Sequence, residues 1–255
     1  MTPVTAREPS PLERVVDVGA LIALLLIAWQ LMHRVAGDVA MTTPLQTLRY
    51  TANLLGSADF WPHFETTGTA FVGALLIATV GGTLVGVLLG FHRLAGEVAE
   101  PMLVAVYSIP KVILYPIILL IFGIGLTSEM AFGALHGIVP VMLFSMNAVR
   151  TIKPVYVKTG RALHLDTWTL MRTILLPAAF PEIFTGLRVG FSVTLLGTVM
   201  AEMFGSKRGI GFLLMNALGV NDVQLIMSLA LLLVAFAATA NSALMAIERR
   251  LPRVR

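Results

Sequence analysis

An all-α protein that crosses a membrane six times is the fold the chain predicts, and three observations predict it. Of 255 residues, 57% are hydrophobic and 13% charged, about half the charged share of an ordinary soluble domain, and the mean hydropathy is +0.86. Apolar runs of about 20 residues, the length a helix needs to cross about 30 Å of hydrocarbon, occur six times. Backbone groups in lipid must be bonded internally. The chain has no series of short alternating segments of the kind a membrane β-barrel needs, so a helical bundle is the architecture left.

Each run has its own character. The first, Val15 to Met32, follows a tail of residues 1–14 that bears Arg7 and Arg14. Its apolar core is longer than a signal peptide's and no small-residue cleavage site follows, so a retained anchor is expected. The second, Thr66 to Leu89, places Gly82, Gly86 and Gly90 four residues apart at its end. Small residues at that spacing let two backbones approach closely, either within the chain or at a subunit interface. The third, Leu103 to Phe122, contains Pro110 and Pro116 and is followed by Gly123 and Gly125. It should kink or release carbonyls, and broken helices often line pathways. The fourth, Met130 to Val149, carries Gly133, His136 and Gly137; the fifth, Phe184 to Met203, opens with Gly186 and Gly190 and ends at Glu202; the sixth is Val223 to Met245.

An even number of spans leaves both termini on one side. Arg7, Arg14, Arg93, Arg150, Lys153, Lys158, Arg161, Arg172, Arg249, Arg250, Arg253 and Arg255 fall on that side, against Arg34, Arg49, Lys207 and Arg208 opposite. Basic residues near span ends are retained in the cytoplasm, so both termini are expected there. The domain frame is then a cytoplasmic tail 1–14, a transmembrane domain 15–248 and a basic tail 249–255. This topology accounts for the net charge of +4 without a nucleic-acid partner.

Chemistry of its own is not expected. With no Cys there is no disulfide, thiolate metal site or cysteine nucleophile. No Gly-Lys dipeptide occurs, hence no phosphate-cradling loop, and any ATP must be handled by a separate subunit. The histidines at 33, 63, 92, 136 and 164 have no metal-ligand spacing, and neither a zinc-protease nor a G-x-S-x-G motif is present. The chain therefore predicts no enzyme, metal or cofactor. Charges within spans are costly and are functional candidates by default. Lys111, between two prolines, can snorkel, pair, or touch an anionic solute. Glu202 can cap a helix or pair with Lys207 or Arg208. Both are candidates for a translocation pathway.

The longest loop on the basic side, 150–181, reads RTIKPVYVKTGRALHLDTWTLMRTILLPAAFP. Pro154 can start a helix, Asp166 or Thr167 can cap a second, and Pro177 should halt it. The result is an elbow bent near Leu165 to Thr167. Trp168, Met171 and Leu175 follow an i, i+3, i+7 rhythm, an apolar stripe suited to a groove on a partner. The same pattern suits a helix lying flat on the membrane, with Trp168 as anchor and Arg161 and Arg172 on headgroups.

This segment resembles the EAA loop of permease subunits of binding-protein-dependent ABC importers, whose pattern is E-A-A, three residues, Gly, about nine residues, an apolar residue, one residue, then Leu-Pro. Ile174 and Leu176-Pro177 match its end and Ala178, Ala179 and Pro181 its continuation. Lys158, Thr159 and Gly160 stand where the pattern has E-A-A, and His164 stands at its Gly. Ser108-Ile109-Pro110-Lys111 with Pro116 and Phe122-Gly123-Ile124-Gly125, then Ala201-Glu202-Met203-Phe204-Gly205 with Gly209-Ile210-Gly211, then Ile247-Glu248-Arg249-Arg250-Leu251, resemble in order the branch importing nitrate, sulfonates, taurine and thiamine-precursor pyrimidines.

The resemblance implies a type I ABC importer permease fold in a bacterial plasma membrane. It implies pairing with a second copy, two ATPase subunits on the cytoplasmic side and a solute-binding protein outside. The ATPase-coupling residues it implies are Gly160, Leu163, His164, Leu165, Asp166, Thr167, Trp168, Met171 and Pro177. A secondary transporter would need ion-coupling carboxylates and usually an inverted repeat, neither of which the spans show; a membrane scaffold would need no pathway. The solute is not named by this chain, although its basic balance suits an anion.

Overall fold

The structure is a computed structural model that describes residues 11–251. The N-terminal residues 1–10 and the C-terminal residues 252–255 of the two expected tails lie outside the described part. Along the chain run α1 (Pro11–Ala36), α2 (Pro44–Gly56), α3 (Trp61–Phe91), α4 (Arg93–Ser108), α5 (Tyr115–Phe122), α6 (Leu126–Arg150), α7 (Pro154–Ala162), α8 (Thr167–Leu170), α9 (Leu176–Gly205), α10 (Ile210–Gly219) and α11 (Val223–Arg250). No strand occurs among the described residues. Five helices are long and apolar enough to cross a membrane, and six spans result if the bent pair α4 and α5 counts as one. The chain falls into two compact units, Met1–Gly56 with Ala217–Leu232, and Ser57–Asn216 with Leu233–Arg255.

In the first unit α1 leaves Leu21, Leu24, Leu25 and Ile27 exposed, as suits a helix surrounded by lipid. No apolar run of spanning length marks α2. Its start is nonetheless written locally, because Thr43 and Gln46 form a reciprocal capping box. The Gln46 amide donates to Thr43 Oγ1 at 3.2 Å and the Thr43 amide donates to Gln46 Oε1 at 2.9 Å. Pro44 occupies the first helical position, where no amide hydrogen is needed. Trp29 Nε1 donates to the Thr42 carbonyl at 3.0 Å and His33 Nδ1 meets the Met41 carbonyl at 2.6 Å, which folds the connection back against α1.

The second unit is a bundle built on α3, α6 and α9, and its glycines are used inside the chain. A Cβ on Gly82 would stand 2.8 Å from the Ile138 carbonyl oxygen, and one on Gly90 2.8 Å from that of Met146. Gly86 is closer still to the Met142 carbonyl. The three glycines thus let the backbones of α3 and α6 touch, where apolar side chains would gain nothing by leaving lipid. Gly133 and Gly137 of α6 receive Thr198 and Thr194 of α9, and Gly190 of α9 receives Val141. Of the two uses open to these stripes, intrachain packing is therefore the one they serve.

One expectation is met and one is corrected. The third span is broken into two helices that meet at 84°. Pro110 has no amide hydrogen and its ring excludes a helical Ile109, so α4 ends at Ser108 with Ile109 extended at φ −68°, ψ 133°. A short 3-10 turn, Lys111–Leu114, then starts the chain in its new direction. Pro177 does not halt the second helix of the elbow. Met171–Leu175 form a wide turn in which the Leu176 amide bonds the Met171 carbonyl, five residues back. This turn absorbs the proline, which sits in the first turn of α9, and a single helical path runs from Trp168 to Gly205.

Candidate functional site

The elbow is held at its bend by two local devices. His164 has φ 52°, the left-handed conformation that closes a helix and that glycine adopts without cost. The Leu165 amide reaches back to the Gly160 carbonyl at 3.0 Å, completing the closure of α7. The glycine of the resembled pattern falls at this position, so its purpose is legible: a residue with a Cβ must be held left-handed here. Asp166 then caps α8. Its Oδ2 accepts from the Thr169 amide at 3.1 Å and its Oδ1 from the Thr169 hydroxyl at 2.6 Å. These bonds hold the Asp166 carboxyl below the usual carboxylate range.

Packing inside the elbow is simple. Gly160 is buried and lies against Leu170, so α7 and α8 close on each other where a larger residue would not fit. The outer surface is apolar at its tip: Leu163 is 63% and Trp168 68% exposed. His164, Asp166 and Pro177 are exposed, while Leu165 and Met171 are half-buried. The Thr167 side chain lies outside those described. Leu175 departs from the expected stripe. It is buried, because the wide turn carries an extra residue and rotates everything beyond Met171 out of the α-helical register.

Lys111 sits at the break in the third span. Its Nζ donates to the Tyr107 carbonyl at 3.2 Å and lies 4.6 Å from the centre of the Tyr107 ring. The ammonium thus covers the unpaired C-terminal end of α4, where a cation is favoured by the helix dipole. Tyr115, just past the break, is buried and donates to the Ala201 carbonyl at 2.6 Å, fastening α5 to α9.

Glu202 belongs to a clamp at the end of α9 remote from the elbow. The Gly209, Ile210 and Gly211 amides, which open α10, donate to His63 Nδ1 at 3.0 Å, Thr67 Oγ1 at 2.8 Å and Glu202 Oε2 at 2.8 Å. Thr67 in turn donates to Glu202 Oε2 at 2.9 Å. Side chains of α3 and α9 therefore satisfy three successive amides that no helix could bond, and the carboxylate lies at the positive end of α10. Gly209, at φ 115°, rests against the Glu202 carboxylate and could carry no side chain. The expected partners Lys207 and Arg208 are not the ones bonded. His136, by contrast, is packed as a core residue, its Nδ1 donating to the Phe132 carbonyl at 2.9 Å.

A second carboxyl, outside the apolar runs, is also buried. Glu129, in the first turn of α6, is 1% exposed, as is Glu202. Its Oε2, like Glu202 Oε1, has no hydrogen-bond partner among the described residues. The apolar run begins at Met130, one residue beyond it; the signal in the sequence is an acid in the first turn after Gly125, where the helix dipole favours it.

Residues 82–254 match the family described as binding-protein-dependent transport system inner membrane component. The taurine transport system permease protein TauC of Escherichia coli (strain K12) is 27% identical over 81% of this chain and 78% of its own length. The nitrate import permease protein NrtB of Synechococcus elongatus is 26% identical over 77% of this chain and 74% of its own. Both fall in the branch that the motifs around Lys111 and Glu202 resemble. Among solved structures, a chain of the MetNI methionine ABC transporter in an inward-facing conformation superposes with a TM-score of 0.67 at 20% identity, covering 77% of this chain and all of that one. That likeness concerns the fold, which is the type I importer permease fold. The family match spans more than half of the sequence and makes this chain a member of the inner-membrane component family of binding-protein-dependent transport systems, a non-enzymatic ABC importer permease.

Proposed function

We propose that two copies of this chain enclose a pathway for a small oxyanion-bearing solute, and that each copy is gripped at its elbow by a separate ATPase. The observation that carries the reading is the elbow tip, where Leu163 and Trp168 stand exposed on a bend stiffened by the closure at His164 and the Asp166 cap. A rigid lever with an apolar tip suits a groove on a moving partner better than it suits a fixed anchor. Gly160, Leu165 and Met171 support the tip from within, and Pro177 joins it to α9. ATP would close the partner subunits, the elbows would follow, and the bundles would exchange inward-open and outward-open states.

The solute would arrive from a separate binding protein on the opposite side. Taurine, sulfonates and nitrate in the names of several relatives support a small oxyanion-bearing solute, against riboflavin and formylaminopyrimidine in the names of two others. In this reading both termini face the ATPases in a bacterial plasma membrane. Lys111 would edge the pathway at the 84° break. Glu202 would act on the pathway through α10, which it holds.

Uptake and ATP hydrolysis by the reconstituted complex test the proposal together. Trp168→Ala or Met171→Asp should leave hydrolysis running while uptake falls at least tenfold, or should release the ATPase. Uptake at the parental rate by both variants would remove the docking surface. Lys111→Met should raise the KM for solute; unchanged KM would leave the ammonium as a helix cap alone.

A further inference from the structure

A cavity of about 650 Å³ lies at the elbow end of the bundle, among the last turns of α3 and α6 and the first turns of α4 and α7. Its floor is apolar, with Phe91, Val149, Ile152 and Val157, and three cations from three helices line it: Arg93 of α4, Arg150 of α6 and Lys158 of α7. Arg93 is paired with Glu97 at 2.9 Å and Arg150 with Glu100 at 2.6 Å. A guanidinium has five donors, so each arginine keeps donors beyond its partner. Lys158 carries the charge in excess of these two pairs. It also stands where the EAA pattern has Glu, so a chain following the pattern would add a second carboxylate to the lining beside Glu97. The departure therefore turns a balanced lining into a basic one.

We propose that this cavity seats the headgroup of an anionic phospholipid, with Lys158 as the residue that selects charge. An apolar floor beneath a cationic rim, at the end of the bundle where basic residues cluster, matches an amphiphile with a phosphate better than a free ion. Basic pockets between helices on the cytoplasmic side are suited to such headgroups. The seat lies against α7 and Leu175, so an occupied cavity would brace the elbow against α3 and α6.

Native mass spectrometry of the purified full-length chain, with dioleoyl phosphatidylglycerol or dioleoyl phosphatidylcholine added, tests this. The phosphatidylglycerol adduct should survive at activation energies that strip phosphatidylcholine, and Lys158→Glu should weaken its retention roughly tenfold. That variant restores the residue of the family pattern, so it is expected to fold. The double variant Arg249→Gln and Arg250→Gln lowers the net charge by the same amount at exposed positions elsewhere, and should retain the adduct. Equal retention of the two lipids, or equal loss from the two charge-matched variants, would overturn the proposal. Displacement of the lipid by millimolar inorganic phosphate would overturn it in favour of a free-anion site.

Discussion

His164 is the residue at which this chain departs from its family pattern most informatively. A left-handed conformation costs a residue with a Cβ about 1 kcal/mol relative to glycine, and His164 has φ 52°. His164→Gly should therefore slow amide hydrogen exchange of Leu163 and Leu165 by roughly fivefold. Faster exchange would mean the imidazole makes a stabilising contact. Asp166 acts in the opposite sense with pH. Its folded-state pKa is depressed by the Thr169 bonds, so the cap is fully present above the unfolded value of about 4 and is lost as pH falls through the lower folded value. Exchange at Thr169 should accelerate only in that acidic window. Glu202 is a matter of acceptor rather than charge. Glu202→Ala would leave the Gly211 amide without its acceptor and the Thr67 hydroxyl with only the His63 carbonyl, at a cost of about 1–3 kcal/mol, and should expose residues 209–213 to exchange. Glu202→Gln keeps an acceptor and should largely preserve protection; equal loss in both variants would show that the charge itself holds α10.

Among the elements, α3 and α6 depend on close backbone approach. Gly86→Leu would force a side chain into the Met142 carbonyl and Ser145, so the helices must separate, which should lower the midpoint of thermal unfolding by several degrees. An unchanged midpoint would place that face outside the packed interface. Much of this was legible. The four-residue glycine spacing marked the faces, the prolines marked the third-span break, and Pro154 and Asp166 marked both starts in the elbow. What escaped has physical reasons. Helix α2 is short and polar, so a search for apolar runs passes over it. The wide turn at Met171–Leu175 is an answer to Pro177 that a fixed 3.6-residue period cannot express, and it is why Leu175 faces inward. The use of Glu202 depends on the Gly211 amide nine residues on and on the Thr67 hydroxyl brought from α3, a tertiary arrangement without local periodicity.

For the whole molecule, the account rests on division of labour. The helical path from Trp168 to Gly205 is 38 residues long, about 57 Å at 1.5 Å per residue, well beyond the hydrocarbon thickness of about 30 Å. One end of this path carries the elbow and the other holds α10 through Glu202. In the proposed reading, a displacement of the tip would be delivered along this continuous path to the far end of the bundle, as coupling between an ATPase and a pathway requires. Since the chain has no Cys, a single thiol at the tip reports this directly. Trp168→Cys, in the assembled complex with a cysteine scanned along the ATPase groove, should form a disulfide whose yield changes between the nucleotide-free and ATP-bound states. A complex that holds its ATPase yet gives no crosslink at any groove position, with the thiol reacting only with lipid-soluble reagents, would contradict the elbow as the lever.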